Sequence, residues 1–262
     1  MHEEHGSWLN VLLHVMPESW HHWVDVYVVN SWMVILVLVV LAWLGTRRLQ
    51  LRPRGLQNLW EMYCGWVREF CRQEIGPGGE KHAPLLGTIF VYVLLLNLLG
   101  LVPGFITPTM TLNMTVPLAL VVFLWVQWSG VAALGLGGYL MHFVGDPWWL
   151  FPINVPVHVV GEIAKPLSLS VRLFGNMFGE ETSLAQMALL GAGVFAATHI
   201  PVPVQFINVA LHMLVGPIQA FIFFILSAAY ISMAIGHDEN HEEASAHSAG
   251  DEEHVEALPE AS

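Results

Sequence analysis

Apolar residues run through this chain in long blocks, and the few polar positions inside those blocks carry most of the information. The block at 28–45, VVNSWMVILVLVVLAWLG, is just long enough to cross a bilayer, which takes about 20 helical residues. Blocks at 85–105 and 113–134 have the same character and are joined by the turn-rich ITPTMT. Residues 56–76 follow another pattern: Leu59, Met62, Tyr63, Trp66, Val67 and Phe70 recur near helical spacing, with charges on the other side. This predicts an amphipathic helix on the membrane interface; a helix docked on a partner subunit fits equally well. Residues 135–152, with Asp146, Pro147 and two tryptophans, predict an interfacial connection.

The last two blocks are too long. Residues 155–198 and 204–236 would be roughly 65 and 50 Å as helices, against a hydrocarbon core of about 30 Å. Either they break, at Pro156, Pro166 or Pro217, or they lie steeply tilted across the membrane. With the helix-breaking HIPVP at 199–203 between them, the expectation is a long, strongly tilted C-terminal helical hairpin. The expected fold is therefore an all-α membrane protein of about five to six helices, one of them interfacial. Residues 1–236 form a single membrane domain, and 237–262 an acidic, histidine-containing tail expected to be disordered.

Composition agrees and adds sidedness. The chain is 55% hydrophobic and 11% charged, with mean hydropathy +0.58; soluble domains carry about 25% charged residues. Its net charge of −12 says little about partners, because nine of the 21 acidic residues lie in the tail. Seven of the nine basic residues (Arg47, Arg48, Arg52, Arg54, Arg68, Arg72 and Lys81) fall between the first two spans. The positive-inside rule puts that loop in the cytoplasm, the N-terminus outside and the C-terminus inside, with Trp20 and Trp23 as interface anchors. The start MHEEHGSW is acidic rather than basic, so the first span is expected to be retained. Cys64 and Cys71, seven apart on a helix, suit neither zinc nor a disulfide and read as packing residues. His14, His21, His22, His237, His241, His247 and His254 are irregularly spaced in acidic surroundings, so solvated surface is expected and no metal site.

Arg172 is the position that changes the picture. It is the last cation of the chain, set in KPLSLSVRLFGNMFGEE and followed by a mostly apolar stretch as far as Gly236. A guanidinium at mid-bilayer costs about 2.5–3.5 kcal/mol even on insertion scales, so it needs a partner or a wet cavity. On a helix, Ser168, Leu169, Gly175, Asn176 and Gly179 share its face; the small residues allow another helix to approach closely. Glu181 lies about 180° away, which argues against a simple internal Arg172–Glu181 bridge, and Glu180, about 80° off, reads as a flank residue. In the final block Asn208, His212, Gln219 and Tyr230 align as one polar stripe. Each alone would read as a satisfied neighbour; together they suggest a wet pathway or a charge-facing surface.

These motifs resemble subunit a of the F-type (rotary) ATP synthases. The resemblance is carried by KPLSLSVRLFGNMFGEE and HMLVGPIQAFIFFILSAAYISMA, with TPTMTLNMTVPLALVVF as a return span, and covers roughly 85–236. It implies a stator proton-channel subunit with two offset half-channels that carry protons to and from c-ring carboxylates. Arg172 matches the arginine that faces the c-ring, Gln219 the glutamine beside it and Asn176 the asparagine one turn along; Gly175 and Gly179 then face the ring as well. Glu181 and His212 match the polar pair of the periplasmic half-channel, with Asn208 beside them. Glu162 and His158 are further candidates for the same lining, weighed against helix-end solvation, and Tyr230 and Ser168 for channel lining. Acids common in relatives are replaced here by Gly161, His158 and Thr111. The resemblance also implies a multi-pass protein of the bacterial inner membrane. Its partners would be the c-ring, peripheral-stalk subunit b, the rest of the synthase and membrane lipid, with no nucleic acid, no cofactor and no catalytic site of its own. A secondary transporter would show internal repeats, and an intramembrane enzyme a G-x-S-x-G, H-E-x-x-H or paired-aspartate motif; the chain has neither.

Overall fold

The computed structural model describes residues 26–47, 55–102, 105–144, 151–198 and 204–235. Six α-helices lie among them: α1 (Val26–Thr46), α2 (Leu56–Ile75), α3 (Ala83–Leu99), α4 (Leu112–Val144), α5 (Phe151–Thr198) and α6 (Val204–Ile235). Two short 3-10 turns, Gly79–His82 and Pro108–Met110, complete the described secondary structure, and no strand occurs among the described residues. Four segments, 27–46, 79–99, 112–139 and 209–235, are long and apolar enough to cross a membrane. The expected all-α membrane class is what the chain adopts. Trp20, Trp23, Arg48, Arg52, Arg54, Asp146, Pro147, the 199–203 turn, the N-terminal histidines and the tail lie outside the described residues.

α6 is the central helix. Its buried face, Ala220, Phe223, Phe224, Ala228 and Ile231, packs against α3, α4 and α5, and α2 closes the arginine-rich end. From α5 the core takes Leu169 and Leu173, a stripe at helical spacing; from α4 it takes Ala119, Val122 and Val126. Elsewhere large apolar side chains point outward, as they do where the solvent is lipid: Leu36, Val39, Trp43, Leu124, Trp128 and Leu189 are all exposed.

The amphipathic face of α2 is satisfied within the chain. Trp66 and Phe70 stack into an aromatic cluster with Phe90 of α3 and Phe221 and Phe224 of α6, and Val67 and Cys71 are buried. Leu59 and Met62 stay exposed, so the helix is docked on one side and free on the other. Polar contacts with other elements hold α1. Asn30 donates to the Ile106 carbonyl (2.7 Å), Ser31 bonds Tyr92 (2.5 Å), and the Trp60 indole donates to Leu41 (3.2 Å).

Two element boundaries differ from the sequence reading. α3 stops at Leu99 rather than running to 105, because the chain tightens into i→i+3 bonds at Gly100, Leu101 and Val102, ahead of Pro103. The segment after Leu134 is helical to Val144 rather than a plain connection. It is set off from the span by Gly135 (φ 70, ψ 164), a backbone conformation that favours glycine. Of the two alternatives left open for the long C-terminal blocks, the chain takes the unbroken one: α5 keeps Pro156 and Pro166 inside one 48-residue helix, and α6 keeps Pro217 inside 32 residues. The breaks offered by the prolines are not used.

Candidate functional site

α5 presents two very different faces. Leu169, Leu173, Met177 and Glu180 are buried, at spacings of four, four and three. Ser168, Arg172, Gly175, Asn176 and Gly179 are exposed. No atom of the described chain lies within 4 Å of where a Cβ would sit at Gly161, Gly175, Gly179 or Gly193. This glycine-rich side is therefore an open surface between the apolar side chains Leu167, Val171 and Phe178. Arg172 stands in the middle of it, and among the described residues no hydrogen bond or ion pair reaches its guanidinium.

The two residues expected to position that guanidinium instead bind each other. The Asn176 amide donates to Gln219 Oε1 (2.5 Å), joining α5 to α6 one turn from Arg172. Gln219 itself is buried. The side chain of Asn208 lies outside the described residues.

Beyond that amide pair, toward the Thr198 end of α5, lies a buried polar cluster. Its centre is His212 of α6, between Glu180 and the end of α3. Nδ1 is 3.0 Å from Glu180 Oε1, and Nε2 is 2.9 Å from the Asn97 carbonyl oxygen. That carbonyl belongs to the last turn of α3, where no i+4 donor is available within the helix. The Asn97 side chain donates to the Gly216 carbonyl (3.2 Å) and accepts from Thr109 (2.9 Å). Thr107 donates to Glu181 Oε1 (3.3 Å). All of Asn97, Thr107, Thr109, Glu180 and His212 are buried. His212 thus has Glu180 as its carboxylate contact, while Glu181, in the same cluster, accepts from Thr107. Geometry explains the difference: Glu180 continues the buried stripe of α5, whereas Glu181 is turned about 100° further round.

Gly100 makes the cluster possible. A Cβ there would come within 2.1 Å of Thr107 Oγ1 and 3.1 Å of His212 Cε1, so only glycine lets the three approach.

A second polar cluster sits at the opposite end of α5. Glu162 accepts from Gln127 Nε2 (2.7 Å) and pairs with Lys165; Tyr139 bonds Gln127 in turn. The Lys165 ammonium lies over the Tyr230 ring, 5.9 Å from its centroid. Glu162 was grouped by sequence with the lining near Glu181. Since α5 is continuous, the two are about 28 Å apart along its axis and belong to different clusters. His158, one turn before Glu162, is half-buried, and Ser168 lies on the open face.

Sequence reasoning left out Asn97, Thr107, Thr109, Gln127 and Tyr139, and set Glu180 aside as a flank residue. Two signals were present: Asn97 is the lone amide of an apolar 17-residue helix, and Glu180 falls in register with Leu169, Leu173 and Met177.

Comparison with known proteins follows this geometry. Residues 28–232 match the family described as ATP synthase A chain. The ATP synthase subunit a of Desulfosudis oleivorans is 38% identical over 213 residues, covering 81% of this chain and 89% of that protein. The subunit a of Moorella thermoacetica is 37% identical over 225 residues, 84% and 97% of the two chains. That of Geobacter sulfurreducens is 37% identical over 201 residues, 77% and 83%. A match across most of both chains, on a frame whose described residues form helices and no strand, leaves one conclusion: the chain belongs to the ATP synthase A chain family, that of F-type ATP synthase subunit a.

Proposed function

We propose that this chain is the stator proton channel of an F-type ATP synthase, with Arg172 as the fixed charge between two half-channels. The supporting observation is the unpartnered guanidinium on an open, small-residue face of α5. A side chain so costly in lipid requires a counter-charge, and a passing ring of helices bearing carboxylates supplies one. The small residues let those helices come close. Ring subunits are accordingly the partner assigned to this face, and the exposed sides of α1 and α2 are assigned to peripheral-stalk subunit b and lipid.

Arginine suits the task for a reason of magnitude. At about 4 Å and an effective dielectric near 20, a cation and a carboxylate attract by about 4 kcal/mol, or about three pKa units. That offsets much of the rise of up to about three to five units that full burial gives a carboxyl group, which favours ionisation of each arriving acid. Arginine does not release its own proton, so it blocks a direct leak while it forces ionisation.

The cluster of Glu180, Glu181, His212, Asn97 and Thr107 lines the outer half-channel in this reading, and the cluster of Glu162, Lys165, Gln127, Tyr139 and Tyr230 the cytoplasmic one. The sides follow from the arginine-rich segment after α1, taken as cytoplasmic, which sets the N-terminus outside and the C-terminus inside. The chain performs no bond chemistry; it moves protons for a synthase whose nucleotide sites are elsewhere. In inverted membrane vesicles, Arg172→Ala is expected to abolish ATP-driven proton pumping while the subunit stays assembled. Coupled pumping retained in that variant would overturn the assignment.

A further inference from the structure

A cavity of about 660 Å³ lies between α1, α2 and the first half of α3. That volume is within the range of about 300–1,000 Å³ usual for small-molecule sites. Its walls are apolar: Ile35, Leu38, Val39 and Ala42 come from α1, Val67 from α2 and Val91 from α3. Ile35, Val39 and Ala42 are exposed on a helix long and apolar enough to cross a membrane, so the cavity opens sideways toward acyl chains. Along α3 it reaches from Ala83 to Tyr92. Nine steps of a helix are about 14 Å, close to one leaflet of a hydrocarbon core about 30 Å thick.

The hydrogen-bonding groups on these walls are spent, with one exception. The Trp60 indole donates to the Leu41 carbonyl (3.2 Å), the Tyr63 hydroxyl to Gly87 (2.7 Å) and the Thr88 hydroxyl to Pro84 (2.7 Å), while Tyr92 bonds Ser31. The exception is Arg68, which lines the cavity with its side chain exposed. Among the described residues no hydrogen bond or ion pair reaches its guanidinium, a group with five N–H donors and no acceptor. Two acids of α2 do not quench it: Glu61 accepts from Gln57 (2.7 Å), Glu69 from Gln73 (2.9 Å), and neither lines the cavity. The cavity is thus an apolar slot one leaflet deep with a free cation at its rim.

We propose that this slot holds one acyl chain of an anionic phospholipid, whose phosphate is bound by Arg68. The two halves of such a molecule match the two halves of the site. A guanidinium takes two phosphate oxygens at once, and a zwitterionic headgroup presents the same phosphate with its own cation competing for it. The bound chain also has a structural task. α1 is held at Asn30 and Ser31 toward one end and at Leu41 toward the other, and the slot separates these contacts. A chain seated between them supplies the apolar packing that α1 lacks there. The proposal needs only that α1 and α3 cross the membrane and is independent of the channel reading.

The test uses the intact complex in phosphatidylcholine liposomes that contain a small fraction of phosphatidylglycerol with a photoreactive diazirine on one acyl chain. Labelled residues are mapped by peptide mass spectrometry. Labelling of 35–42 and 83–92 is expected to exceed that from the same diazirine on phosphatidylcholine by about fivefold or more, as one basic residue at an anionic headgroup gives. Arg68→Gln is expected to bring the two lipids level. Ala42→Phe, which puts a ring into the slot, is expected to lower labelling of 83–92 by both. Labelling of Leu36 and Trp43, which are exposed but do not line the cavity, should be unchanged in either variant. Equal labelling by the two lipids in the wild-type complex, or a preference that survives Arg68→Gln, overturns the proposal. So does protection of both segments from either lipid, which would mean that a helix of a partner subunit fills the slot. If Arg68→Gln does not assemble, the wild-type complex is read at high salt, which screens an exposed guanidinium; a preference that does not fall overturns the proposal there too.

Discussion

Gly100 shows how much of this protein's chemistry depends on single atoms. Its missing Cβ is the room in which Thr107 and His212 meet. Gly100→Ala must push the Thr107 hydroxyl off Glu181 or lift the imidazole from Asn97, both of them buried. Overpacking of this kind costs about 1–3 kcal/mol. The expected outcome is a subunit that still inserts but conducts protons several-fold more slowly and detaches from the detergent-solubilised complex at lower temperature. Conduction equal to wild type would show that the cluster tolerates a rearranged Thr107. None of this was legible in sequence. Glycine at a helix end usually signals a backbone conformation, but Gly100 has ordinary helical angles and is constrained by its neighbours. Arg172 was legible for the opposite reason: a lone cation in an apolar block is costly anywhere in a membrane, whatever surrounds it.

At the scale of elements, period and length carried the class of the fold but not its joints. Apolar blocks predict helices and their lengths predict crossings, because lipid leaves the backbone no other way to satisfy its hydrogen bonds. What ends a helix is more local: the i→i+3 tightening after Leu99, or the left-handed Gly135. The prolines of α5 look like breaks in sequence yet sit inside a continuous helix. The acids of α5 were visible as residues but not as partners, since a one-residue difference between Glu180 and Glu181 turns the side chain from the core toward another neighbour. The open face of α5 makes its own prediction. A Cβ added at Gly179 points into open space among the described residues, so Gly179→Leu should leave the subunit at normal abundance in the membrane. It would nevertheless stand where an approaching ring helix needs room, and is expected to reduce ATP-driven pumping several-fold and weaken copurification with the ring subunits. Normal pumping with normal copurification would mean that the ring does not approach this face closely.

Taken as a whole, the molecule places its two polar clusters one membrane apart on a single rod. Glu162 and Glu180 are 18 residues apart on α5, five helical turns, so both point inward on the same line about 27 Å from each other. Arg172 stands between them, about 15 Å from one and 12 Å from the other, turned about 80° outward to the open face. In the proposed reading, a rod inclined within a hydrocarbon core about 30 Å thick would bring each cluster near one surface and the arginine near the middle. Under the proposed function, the two clusters would belong to separate paths, joined only by a carrier that moves across the face of Arg172. The arrangement predicts access from opposite sides. Cys71 is buried, with its thiol pushed up to about 11 by burial, so it stays largely unreactive at neutral pH; exposed Cys64 is replaced by serine. In that background, Glu162→Cys should react with a membrane-impermeant thiol reagent added on the arginine-rich side, and Glu181→Cys with the same reagent added on the other. Both readings need only an assembled subunit, not a working one. Labelling of the two positions from one side would place both clusters on a single path, and Arg172 would then separate nothing.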